Sequence, residues 1–180
     1  MVEFFIKQGF TYNDCEFLYV DNTQSSTFDA FAGFNRFLSI SPGEFVIVCH
    51  QDILLSIISR IDFEARIGEI SKVDTRWAIL SNAGGVNLKH TVMHVTHGNG
   101  EFLEEPLLSL KMQTVDESFI LVKNDANLAL SSNLEVFHLY GTDLCLIARV
   151  LGCTSYAIDF RCIHKNTGNA NKSFYNIKSN

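Results

Sequence analysis

The sequence predicts an α/β sandwich with a largely parallel sheet, and three observations predict it. Apolar runs of strand length alternate with segments of helical periodicity. Turn signals such as Ser41-Pro42-Gly43 and Gly84-Gly85 separate them. Two successive strand candidates end in polar residues able to hold a ligand, Asp21-Asn22 and His50-Gln51-Asp52. In open α/β sheets that end of the strands is where ligands sit.

The elements follow in order. Val2 to Gly9 reads as a short helix closed by glycine. Glu16 to Asp21 reads as a compact apolar strand. Ser25 to Thr27 offers an N-cap, after which Phe28, Phe31, Phe34 and Phe37/Leu38 recur at helical spacing. Glu44 to Cys49 is a second buried strand and Ile53 to Ile70 a helix with polar positions at Ser56, Arg60 and Glu64. Trp77 to Leu80 is a third strand. Thr91 to Val95 alternates like an exposed strand, and His97 to Glu105 reads as loop. Met112 to Val115 and Phe119 to Lys123 are strand candidates around Asp116. Asp143 to Leu151 is a helix closed by Gly152, and Ser155 to Ile158 is the last strand.

A chain of 180 residues with 47% hydrophobic and 19% charged residues suits one globular domain, placed at 1–165, with a polar, mobile tail over 166–180. The net charge is −6 and the basic residues are scattered, so no nucleic-acid partner is expected. Five cysteines without a CxxC pair read as reduced, mostly buried thiols, which favours the cytoplasm. Ile53 to Ile61 is too short and too polar to span a bilayer, and the N-terminus lacks a signal-peptide plan.

His50 and Asp52 lie two positions apart after an apolar run, so both side chains can point the same way. Hard oxygen ligands suit Mg²⁺ or Mn²⁺, whereas Asp52 could equally N-cap a following helix; the two roles are compatible. His90, His94 and His97 do not read as a catalytic zinc site, because their surroundings favour a strand and no glutamate accompanies them. Gly84-Gly85 would allow close backbone approach to a substrate or simply form a turn.

Phe17-Leu-Tyr-Val-Asp-Asn22, Phe28-Asp-Ala-Phe-Ala-Gly-Phe-Asn35 and Gly43-Glu-Phe-Val-Ile-Val-Cys-His-Gln-Asp52 together resemble bacterial glycosyltransferases similar to family 2. Trp77 to Gly85, Val115 to Ser118, Phe137 to Cys145, and Ile163-His164 with Gly168 follow in that family's order, from about residue 10 to residue 168. The resemblance implies a GT-A fold, a three-layer α/β/α sandwich with a mainly parallel sheet, here apparently without its first strand. It implies metal-dependent, inverting transfer of a sugar from a nucleotide-sugar donor to a saccharide or glycolipid acceptor, in surface polysaccharide biosynthesis. The setting would be cytoplasmic, at most peripheral to the inner membrane face, with homo-oligomerisation through an unpaired sheet edge a further expectation. A degenerate, non-catalytic module that binds a sugar nucleotide or a partner is the alternative.

Residue by residue, the resemblance places Asp21, Asn22, Asn35 and His50 at the donor and Asp52 and His164 on a Mn²⁺ or Mg²⁺ ion. Asp143 takes the position of the general base, with Asp116 as an acceptor-binding residue or rival base. Each has a plainer alternative: Asp21 a turn cap, Asn35 an exposed helix amide, Asp143 an N-cap and His164 a structural histidine.

Overall fold

The structure is a computed structural model that describes residues 2–21, 28–55, 58–97, 109–134 and 136–165. Asn22, most of the loop expected over 97–105 and the polar tail from 166 lie outside the described residues.

Among the described residues, four α-helices and eleven strands follow one another. Helices α1 (Val2–Lys7) and α2 (Ala30–Ile40) precede strands β1 (Phe45–Cys49) and β2 (Ile53–Leu54). Helix α3 (Arg60–Val73) leads into β3 (Trp77–Ser81), β4 (Ala83–Gly85), β5 (Thr91–Met93) and β6 (Val95–His97). Then come β7 (Leu110–Lys111), β8 (Thr114–Val115), β9 (Phe119–Lys123), α4 (Tyr140–Val150), β10 (Thr154–Ala157) and β11 (Cys162–His164).

The principal sheet runs β1-β9-β3-β10-β7. Within it β3 and β10 pair in parallel, while β1–β9, β9–β3 and β10–β7 are antiparallel. This corrects the expected mainly parallel GT-A sandwich: the chain forms a mixed α/β domain rich in antiparallel pairing. The physical reason is that β9, Phe-Ile-Leu-Val-Lys, is buried on both faces. Such a run records burial but not direction, so its sequence fits a parallel or an antiparallel neighbour equally.

Alternation along β9 sorts the core. Ile120 and Val122 join Phe31 and Phe34 of α2 and Leu144 and Ala148 of α4, whereas Phe119 and Leu121 join Phe63, Ile67 and Ile70 of α3. Phe63, Phe119 and Phe160 form a cluster with ring centroids 4.5–5.8 Å apart.

Two local departures from expectation have clear causes. Glu16 to Asp21 forms no strand: Phe17 packs against the core, whereas Leu18 and Tyr19 are exposed, and no described strand pairs with the run. The helix expected from Ile53 begins instead at Arg60, where Ser59 and Asp62 form a reciprocal capping box. Ile53 and Leu55 are both buried with Leu54 half-buried between them, a period-2 pattern that belongs to a strand. Close packing fixes the start of α4 against β8, since a Cβ on Gly141 would lie 2.5 Å from the Val115 carbonyl oxygen.

Candidate metal centre

Two pairings assemble one polar cluster. Strand β1 delivers His50, whose backbone N–H donates to the Ser118 carbonyl at 3.0 Å just ahead of β9. A turn closed by Ile53 N–H to His50 C=O, 3.1 Å, then places Asp52 immediately before β2. Strand β2 pairs antiparallel with β11, with Ile53 opposite His164 and Leu54 opposite Ile163. That register sets Asp52 beside His164, and the Lys165 N–H donates to the Asp52 carbonyl at 3.1 Å. The His164 Nε2 lies 3.4 Å from Asp52 Oδ1. The His50 and His164 ring centroids are 6.0 Å apart at 62°. One potential ligand atom from each of His50, Asp52 and His164 lies within 4.8 Å of the other two.

The surroundings bias this cluster. Groups packed against part of the His50 ring desolvate it and lower its pKa while the residue keeps an exposed edge, and the nearby carboxylates of Asp116 and Asp52 oppose that shift. Asp116 is exposed and accepts the Ser118 N–H at 2.9 Å. His50 Nε2 lies 3.1 Å from the Tyr140 hydroxyl, which in turn donates to the Glu117 carbonyl at 3.1 Å. Glu117 has a half-buried side chain whose pKa burial pushes up to about 7, although backbone N–H groups of residues 139–141 at the start of α4 favour its carboxylate. His138 Nδ1 lies 3.8 Å from Glu117 Oε2. Behind the cluster, burial pushes the Cys49 thiol up to about 12 and the Cys162 thiol upward as well, so neither is a reactive thiolate.

The remaining residues singled out by sequence sit elsewhere. Asn35 on α2 clasps the backbone of Leu130: its Nδ2–H donates to the carbonyl at 3.0 Å and its Oδ1 accepts the N–H at 2.7 Å. Asp143, in the first turn of α4, accepts both the N–H and the hydroxyl of Ser131 at 2.8 Å, one on each carboxylate oxygen. Asp21 is exposed at the end of a described segment. A cavity of about 470 Å³ lined by Asn35, Arg36, Lys123, Asn124 and Leu128 opens at the Lys123 end of β9, opposite the end that meets His50. Thus the structure brings His50, Asp52 and His164 together, with Asp116 nearby.

Tyr140, Glu117 and His138 were not legible as site residues. No spacing links them to His50, and only the packing of α4 against β8 and the end of β1 joins them. His164 stands far along the chain from Asp52, and the β2–β11 register is what pairs them.

Fold and site together define a mixed α/β domain carrying a His–Asp–His cluster beside its principal sheet. The chain belongs to the family of the protein "ATP synthase subunits region ORF 6" of Fuscovulum blasticum, with which it is 30% identical over 184 residues, covering 99% of this chain and 74% of that one. No protein-family model matches the chain. Among solved structures, the crystal structure of A197 from STIV superposes with a TM-score of 0.47 at 14% identity, over 94% of this chain and 88% of that one. The family relative's name carries no sugar-transfer activity, and this corrects the expected glycosyltransferase function. Among the described residues, no helix is long and apolar enough to cross a membrane.

Proposed function

We propose that this domain is a metalloprotein whose His50, Asp52 and His164 hold one divalent transition-metal ion, leaving positions in its shell for an oxygen-donor ligand. The observation that carries the reading is the convergence of three ligand atoms within 4.8 Å. Donors bound to one ion at about 2.1 Å stand roughly 3.0–3.4 Å from one another. The Asp52–His164 separation of 3.4 Å already matches that spacing. His50 completes the set, with a ligand atom no more than 4.8 Å from the other two.

Two imidazoles and one carboxylate favour Mn²⁺, Fe²⁺ or Zn²⁺ over Mg²⁺, which prefers oxygen ligands and retains its water. Three protein ligands would leave at least one position open, and an ion held there would supply Lewis-acid chemistry. The exposure of His50 gives an oxygen-donor ligand access from solvent.

Calorimetric titration with MnCl₂, ZnCl₂ and MgCl₂ tests the reading. One equivalent of Mn²⁺ or Zn²⁺ should bind, Mg²⁺ far more weakly, and Asp52→Ala or His164→Ala should weaken binding at least 100-fold while the fold persists. A folded wild-type protein that binds neither Mn²⁺ nor Zn²⁺ would leave the Asp52–His164 contact as a simple ion pair fastening β11 to β2.

A further inference from the structure

We propose that Tyr140 is a positioning residue that locks His50 in its Nε2–H tautomer and so presents Nδ1 as the ligating nitrogen. The metal-ligating part of this inference rests on the metalloprotein reading above; the tautomer part does not.

Proton accounting carries it. The Tyr140 hydroxyl touches two groups, the Glu117 backbone carbonyl and His50 Nε2, each at 3.1 Å. A hydroxyl has one proton, and a carbonyl oxygen can only accept. The Tyr140 proton is therefore committed to Glu117, and its oxygen meets His50 with a lone pair. That arrangement requires a proton on Nε2. A neutral imidazole carrying Nε2–H has its remaining lone pair on Nδ1.

The pieces holding this relay are rigid. Tyr140 is buried at the first turn of α4, with its ring against Phe31 at 6.5 Å and Phe34 at 5.7 Å. Gly141 lets that turn approach Val115 so closely that a Cβ would collide with the strand. The Glu117 carbonyl belongs to the short segment between β8 and β9, anchored by Asp116 N–H to Ala83 C=O at 2.8 Å. The His50 backbone is tied to the same segment through Ser118. Donor, relay and acceptor thus share one framework, as a partner that orients a metal-binding histidine through its other ring nitrogen requires.

The test uses the full chain with Tyr140→Phe, which keeps the ring and its packing and removes the hydroxyl. Long-range ¹H–¹⁵N correlation spectra of the metal-free protein above pH 8, with His50 assigned by comparison with His50→Gln, read the tautomer directly. Wild type should show a protonated Nε2 and a pyridine-like Nδ1, and Tyr140→Phe should show a tautomer mixture. Manganese or zinc affinity should fall 10- to 100-fold in the same variant, the range expected when a ligand loses the hydrogen-bond partner that orients it. A wild-type His50 protonated on Nδ1, or a tautomer unchanged in Tyr140→Phe, would overturn the inference. If the tautomer changes as expected while wild type binds no metal, the metalloprotein reading fails and the positioning role of Tyr140 stands.

Discussion

Replacing Asn35 with alanine separates two roles for this amide, because the structure spends both of its ends on one backbone. Nδ2–H donates to the Leu130 carbonyl at 3.0 Å, and Oδ1 accepts the Leu130 N–H at 2.7 Å. Leu130 is 4% exposed and lies in the core facing α2 and α4. Alanine leaves a backbone donor and an acceptor without their partners. Each buried group so orphaned costs about 1–3 kcal/mol. The adjacent cavity can admit water to part of this region, so the lower half of the range applies to each group and the expected loss is about 2–4 kcal/mol. With a urea slope of about 2 kcal/mol/M, the denaturation midpoint should fall by about 1–2 M at unchanged slope. Asn35→Asp refines the test: it keeps an acceptor for the Leu130 N–H but sets a carboxylate against the carbonyl, so it should be no more stable than the alanine variant. A midpoint shift below about 0.25 M in Asn35→Ala would refute the reasoning and free this amide for a ligand-binding role.

Two further substitutions probe the frame around the His50, Asp52 and His164 cluster. Gly141→Ala sets a Cβ 2.5 Å from the Val115 carbonyl oxygen and 3.3 Å from its Cγ2, so α4 must shift; a loss of about 1–3 kcal/mol in thermal or chemical denaturation is expected, and a loss below about 0.5 kcal/mol would show that the helix start is free to move. Glu117 has a folded pKa near 7, raised from 4.5, so between those values the native state binds more protons than the unfolded one and stability falls as pH rises. The full penalty, at most about 3 kcal/mol, is reached above pH 7 and vanishes below about pH 4. Glu117→Gln should therefore gain on wild type as pH rises from 4 to 8, and a stability difference constant over that range would refute the assignment.

Several individual elements were legible, although the fold class was not, because burial writes itself into sequence. Phe119 to Lys123 is a strand as its apolar run indicates, and α2 forms where Phe31, Phe34 and Leu38 recur. The sheet's direction was not legible. Parallel and antiparallel neighbours make the same demand on Phe119 to Val122, namely burial on both faces. Direction is decided by which loops close and by what covers each face, quantities spread across the whole chain. The run Glu16 to Asp21 misleads for the converse reason: strand propensity without a partner edge gives no strand, and Tyr19 stays exposed.

The cluster at His50, Asp52 and His164 shows the same division between local and distant information. His50 and Asp52 are visible as polar residues closing an apolar run, but a helix from Ile53 would have carried the chain away in 3.6-residue turns. Strand β2 instead keeps the backbone extended for Ile53 and Leu54, long enough to pair with β11. Antiparallel register then has consequences of its own: with Ile53 opposite His164, Asp52 must meet the end of β11. A slip of one residue would turn the His164 side chain to the other face of that small sheet and dissolve the cluster. The buried side chains of Ile53 and Cys162 resist such a slip, because it would expose both. The apolar residues of β2 and β11 therefore determine the distance between the Asp52 carboxylate and the His164 imidazole, so core packing, more than any polar contact, sets the geometry available to an ion.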